Sequence, residues 1–136
     1  MSNLEQTLSI IKPDAVERNL ESEIKKIFIS DGFKIIKDKK IQITKSEAEN
    51  FYKVHQTKPF YNDLCAYLSS GPIVVMILEK ENAVISNRKI MGSTNPKDAE
   101  DGTIRKKYGI SIDKNSVHGS DSLENAKIEI NFFFKD

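Results

Sequence analysis

Apolar residues recur along this chain at two periods, and the switches between them mark out its elements. Residues 7–11, TLSII, make a short β-like run. It stops at Lys12-Pro13-Asp14, where proline ends a strand and opens a helical turn. Ile24, Ile27 and Phe28 then fall at helical spacing within 22–30, and Asp31-Gly32 stops them. From Phe33 to Ile43 the period returns to two, which puts Phe33, Ile35, Ile41 and Ile43 in phase. Thr44 and Glu47 form a T-x-x-E capping box that opens a helix through Phe51 and Tyr52. A further helix sets Phe60, Leu64, Tyr67 and Leu68 on one face and ends at Gly71-Pro72.

The run IVVMILE does not alternate, so it reads as a strand buried on both faces. Asn82 caps a helix through Arg88 and Met91 that Gly92 stops. Residues 92–121 lose both periods. Gly92, Asn95-Pro96, Asp101-Gly102, Gly109 and Gly119 predict a long ordered loop with a short helix near 103–108. Loops of this length in compact domains are often functional. A last helix follows Ser122 with Leu123, Ala126, Ile130 and Phe133 on its buried side. Strands alternate with helices, and no repeat or linker interrupts them. The coarse expectation is one α/β domain over residues 1–136, with helices packed against one sheet.

Composition adds mainly exclusions. The net charge of +1 provides no global basic field for nucleic acid. Cys65 is the only cysteine, so no internal disulfide and no cysteine-rich metal site can form. The longest apolar run, IVVMIL, is far short of a membrane span, and the N-terminus lacks a signal-peptide pattern. These features predict a cytoplasmic protein with no membrane and no specific nucleic-acid partner.

Candidate chemistry gathers in the punctuated loop. NSVHGSDS, 115–122, sets His118 among small hydroxyl and acidic residues. It has neither the apolar neighbours of a core histidine nor metal ligands at the usual spacing. Histidine is poised near neutral pH and can act as a nucleophile. Ser120 and Glu129 are candidates to hold one ring nitrogen, although a helix carboxylate such as Glu129 is ordinarily solvated. His55 has no companion. Lys12, Arg88 and Arg105 each read singly as surface charges, but converging on His118 they would clamp a phosphate. Thr94 and Asn115 would add neutral donors. Phe60 and Leu64 share a helix face that is core or, if exposed, a platform for a base. Neither common glycine-rich phosphate loop occurs.

Taken together, TLSIIKPDAV, FYKVH, SGPIVVMILE, ENAV, GSTNPKDAEDGTIR and NSVHGSDS closely resemble nucleoside diphosphate kinases, in the family's order and over nearly the whole chain. The resemblance implies a ferredoxin-like four-stranded antiparallel sheet with helices on one face. It implies γ-phosphoryl transfer between nucleoside tri- and diphosphates, with ATP the usual donor, by a ping-pong route with Mg²⁺ carried mainly on the nucleotide. His118 matches the phosphorylated histidine, positioned by Ser120 and Glu129. Lys12, Tyr52, Arg88, Thr94, Arg105 and Asn115 match phosphate or sugar contacts. Phe60, with Leu64 and Ile112, matches the base slot. Asn19 and Ser22 stand where many members carry glycine, and asparagine tolerates left-handed backbone. The chain ends soon after the last helix, which leaves subunit packing open. Pro96 lies in a loop that often supports trimer contacts and leans the expected homo-oligomer toward a hexamer over a tetramer. A phosphohistidine relay module and a non-enzymatic nucleotide-binding protein are the competing readings.

Overall fold

A bulge in one edge strand decides how the chain clothes its sheet. The protein, seen as a computed structural model, is described for residues 4–53, 56–112 and 114–134, so His55 lies outside the described residues. Four strands, β1 (Leu4–Ile11), β2 (Lys34–Ile41), β3 (Ile73–Glu81) and β4 (Val117–Gly119), form one antiparallel sheet in the order β2-β3-β1-β4. Lys34 and Ile35 pair with Glu79 and Leu78, but Ile77 then pairs with Lys37, leaving Ile36 as an extra residue. An extra residue reverses which face every later side chain takes. Phe33 and Ile35 therefore pack with Met76 and Leu78, whereas Ile41 and Ile43 pack with Ile73 and Val75. The single phase expected over 33–43 is thus two phases joined by the bulge.

β3 has its first six residues buried, as a run without alternation requires. Val74, Met76 and Leu78 meet α2 (Glu21–Ser30) and α5 (Ala83–Met91) through Ile24, Phe28 and Met91. Ile73 and Val75 meet α3 (Lys45–Phe51), α4 (Tyr61–Leu68) and α7 (Leu123–Phe133) through Ala48, Leu68 and Phe133. The expected helical layer on one face is present, and a second layer covers the other. A ferredoxin-like sheet sandwiched in this way keeps the central strands β3 and β1 from solvent.

The remaining helices are one or two turns: α1 (Pro13–Glu17), with proline in its first turn, and α6 (Ile104–Tyr108). Between α5 and α6 a 3-10 turn spans Pro96–Asp98. The capping box of α3 is complete, with Thr44 Oγ1 accepting from Glu47 N–H at 3.1 Å and Glu47 Oε1 accepting from Thr44 N–H at 2.9 Å. Asn19 takes φ +59°, the left-handed geometry expected of it. Three expectations fail locally. Asn82 precedes α5 with φ +52° and makes no side-chain cap, because a left-handed residue turns its side chain away from the helix amides. Leu123 is exposed at the first position of α7, off the face that buries Ala126 and Phe133. Residues 117–119 are strand rather than loop, paired to β1 with His118 opposite Ile10.

Candidate active site

The β1–β4 ladder fixes the histidine. Val117 and Gly119 face α5 on one side of β4, which turns His118 to the other side, toward α3 and α7. There its Nε2 lies 3.0 Å from Glu129 Oε1. Ser120 Oγ donates to the same oxygen at 2.8 Å. Ser120 is fully buried, while the His118 side chain keeps 21% of its surface exposed. A carboxylate only accepts, so this pairing assigns the ring proton to Nε2 and leaves the Nδ1 lone pair available. Phe51 packs edge-on to the imidazole, with ring centroids 5.4 Å apart, and Tyr52 lies 6.3 Å away in a similar attitude. Burial, with the Glu129 carboxylate beside it, pushes the Tyr52 phenol above its ordinary range, so it is a neutral group at pH 7.

The cations reach the same end of the sheet by different routes. Lys12 follows β1 directly and is 5% exposed. Its Nζ donates to Asn115 Oδ1 at 2.9 Å, and Asn115 Nδ2 donates to the Thr94 carbonyl at 3.0 Å. Those two bonds link three of the expected site residues. Arg105, on α6, donates from Nη1 to the Gly92 carbonyl at 3.0 Å and from Nη2 to the Val117 carbonyl at 2.9 Å. It therefore grips the backbone one residue before His118. Burial, and secondly the positive charge of Arg88, pull the Arg105 guanidinium down to about 10, so it remains charged at neutral pH. Arg88 stands exposed in the last turn of α5.

Two guanidiniums close enough to repel each other make a place where an anion is welcome. Phe60 and Ile112 are 44% and 55% exposed, and Leu64 is half-buried on α4. Phe60 is thus the first residue before α4, turned to solvent instead of joining Leu68 in the core. Exposed apolar side chains of this kind suit a flat aromatic ligand.

Several residues that matter here escaped the sequence patterns. Phe51 reads as an ordinary helix residue, but it packs against His118 and on Phe132 and Phe133. Asp14 is buried and bonded to Tyr67, Arg18 and Ser116. A Cβ on Gly119 would meet Asn87 Nδ2 at 2.3 Å, so α5 lies against the backbone beside the histidine. The glycine itself was a signal of close approach. Nothing local announced the Asp14 cluster.

A family model described as nucleoside diphosphate kinase matches residues 5–136. A nucleoside diphosphate kinase of Campylobacter jejuni (strain RM1221) is 58% identical over 132 residues, covering 97% of this chain and 96% of that protein. One from Geobacter sulfurreducens is 56% identical over 131 residues, covering 96% of each. Among solved structures, the Aquifex aeolicus nucleoside diphosphate kinase superposes with a TM-score of 0.95 at 40% identity, covering 96% of this chain and 95% of that one. The Encephalitozoon cuniculi nucleoside diphosphate kinase gives 0.94 at 37% identity, covering 97% and 90%.

Proposed function

Because the chain belongs to the nucleoside diphosphate kinase family, we propose that its phosphoryl transfer runs through His118 Nδ1. The enzyme moves the γ-phosphoryl group of a nucleoside triphosphate to a nucleoside diphosphate by a ping-pong route. The observation that carries the assignment is the Nε2–Glu129 pairing at 3.0 Å, which leaves Nδ1 as the free nucleophile. In the first half-reaction the Nδ1 lone pair forms an N–P bond. The bond from the γ-phosphorus to the bridging oxygen breaks, and the diphosphate leaves with that electron pair. In the second half a β-phosphate oxygen of the acceptor takes the group and Nδ1 recovers its lone pair.

The overall exchange trades one phosphoanhydride for another, so a useful intermediate must lie at a similar level. A phosphoramidate does. A phosphoserine would be a sink, and each 1.36 kcal/mol is about tenfold in rate. A neutral imidazole nitrogen carries its own lone pair, hence is nucleophilic without a separate base. As the N–P bond forms, positive charge grows on the ring, and Glu129 stabilises it from the Nε2 side. Ser120 holds Glu129 in place.

Lys12, Arg88 and Arg105 offset charge on the phosphoryl oxygens, the main task in this chemistry. Asn115 orients Lys12, and Thr94 and Tyr52 complete the phosphate and sugar contacts. Phe60, Leu64 and Ile112 form the base slot, whose stacking discriminates poorly between bases. Mg²⁺, when bound, would neutralise part of the nucleotide's phosphate charge. Among the described residues no group of three or more His, Cys, Asp or Glu side chains gathers as a metal cage. We read the ion as carried on the nucleotide phosphates, with the chain's cations around them.

We read residues 1–136 as one domain working in the cytoplasm, and no described helix is long and apolar enough to cross a membrane. We read the assembly as a homo-oligomer, with a hexamer favoured over a tetramer. Its support is the resemblance: Pro96, at the head of the 3-10 turn, lies in the loop that often carries trimer contacts in the family.

The test is labelling with γ-labelled ATP and Mg²⁺. Acid-labile, base-stable label is expected, absent from His118→Ala and moved to GTP by a GDP chase. Label that survives the substitution would place the nucleophile elsewhere. Label that refuses the GDP chase would favour a protein phosphorelay.

A further inference from the structure

The approach to His118 contains a backbone conformation that the chemistry above does not use. Ser116 stands at φ +75°, and Val117 N–H donates to the Asn115 carbonyl at 2.9 Å. That is a γ-turn of the positive-φ form, which is rare and strained for a residue with a Cβ. Such strain persists only where the surroundings over-determine it, and it concentrates at functional sites.

The surroundings here are specific. Ser116 is fully buried. Its carbonyl accepts from Lys12 N–H at 2.8 Å. Its hydroxyl donates to Asp14 Oδ2 at 3.0 Å and accepts from Arg18 Nη2 at 3.3 Å. The carboxylate is in turn fixed. Arg18 Nη2 reaches Asp14 Oδ2 at 3.1 Å, and the Tyr67 hydroxyl donates to Oδ1 while accepting from Asp14 N–H. Arg18 also donates to the Tyr108 carbonyl at 2.6 Å. One arm of the turn is Asn115, whose amide oxygen holds the Lys12 ammonium. The other arm runs into β4, with His118 two residues on. The turn therefore sets how Asn115, and the Lys12 ammonium that it holds, meets the start of β4 beside the β1–β4 ladder.

We propose that Ser116 is a positioning residue, its hydroxyl locked to the buried Asp14 carboxylate so that the strained turn holds His118 and Lys12 in register for in-line transfer. The inference rests on His118 being the phosphorylated residue. Relaxing the turn moves the two groups apart, and misplacement on the scale of an ångström slows such reactions steeply.

Two substitutions separate this from plain stability. Ser116→Ala keeps the Cβ and its strain but removes the anchor. Ser116→Gly removes both, and glycine takes φ +75° freely. Each variant is assayed where circular dichroism finds it folded, by rapid-quench phosphorylation from γ-labelled ATP and by steady-state kcat and KM. The alanine variant is expected to phosphorylate ~10-fold slower and the glycine variant ~3-fold slower, with KM within about twofold for both. Wild-type phosphorylation rates in both folded variants would overturn the proposal, as would a change confined to KM or Tm. If the alanine variant does not fold, the glycine variant decides alone: a slowed step at near-constant KM supports the lock, and an unchanged rate sinks it. The unsubstituted protein runs alongside, and its failure to label would instead sink the assignment of His118.

Discussion

His118 and Glu129 meet through one carboxylate oxygen, Oε1, which also takes the Ser120 hydroxyl. The imidazole is thus steered by an acceptor that is itself held in place. A hydrogen bond to a charged partner contributes roughly 1.5–3 kcal/mol. Glu129→Ala should lower kcat about 100-fold, and Glu129→Gln about tenfold, because an amide oxygen still accepts. Ser120→Ala should cost less than either. KM should barely move in all three. Steady-state kinetics decide the point, and a loss expressed mainly in KM would mean Glu129 serves binding instead of the nucleophile.

Phe60 precedes α4 with nearly half its surface in solvent. Stacking on one base is worth about 1–3 kcal/mol. Phe60→Ala should therefore raise KM for nucleotides about tenfold while stability stays within ~0.5 kcal/mol. Isothermal titration with ADP and with GDP checks this, and both should weaken alike. Unchanged affinity would move the base slot elsewhere.

Arg88 makes Arg105 harder to keep charged. Their repulsion is a cost in the free protein that a bound phosphate relieves. Arg88→Gln should leave Tm unchanged or slightly higher, since exposed substitutions stay within about 0.5 kcal/mol. The same change should weaken ADP binding about tenfold, as expected for losing one charge-assisted contact. Thermal melts with and without ADP test both halves together. A lowered Tm without ligand would mean Arg88 has a structural role.

Gly119 leaves room for Asn87 and Met91, which would lie 2.3 and 2.9 Å from a Cβ there. Both Asn87 side-chain polar atoms are buried without a hydrogen-bond partner among the described residues. Gly119→Ala should destabilise the fold by about 1–3 kcal/mol, the usual range for overpacking. Asn87→Ala should be close to neutral, and adding it to Gly119→Ala should recover part of the loss. Urea melts of the double-mutant cycle read the coupling. Additive losses would place the strain in the β4 backbone and not against α5.

What the amino-acid pattern revealed depended on how local the cause was. The non-alternating 73–79 run marked a buried strand because burial on both faces leaves no room for polar residues. The Thr44–Glu47 box was visible because its two bonds span three residues. The bulge at Ile36 was invisible, since Phe33, Ile35, Ile41 and Ile43 keep odd numbering whether or not a residue is looped out. Three residues of β4 carry too short a period to be seen, and only pairing with β1 makes them a strand. At the site, NSVHGSDS singled out His118 by composition, and Glu129 stood out only as a candidate to hold its ring. Ser116 and Asp14 are 102 residues apart, and nothing near either predicts their bond.

The pairing of the first strand with the last has a consequence for how the protein is made. β1 supplies Ile10 opposite His118, yet β4 and the helix bearing Glu129 follow every other described element in chain order. A chain emerging from the ribosome must hold the partner edge of β1 open until nearly everything else has appeared. Contacts so distant in sequence form late and slowly, because the loop entropy must be lost before they reward it. On the proposed reading, His118 therefore meets its β1 partner and Glu129 only as the fold closes.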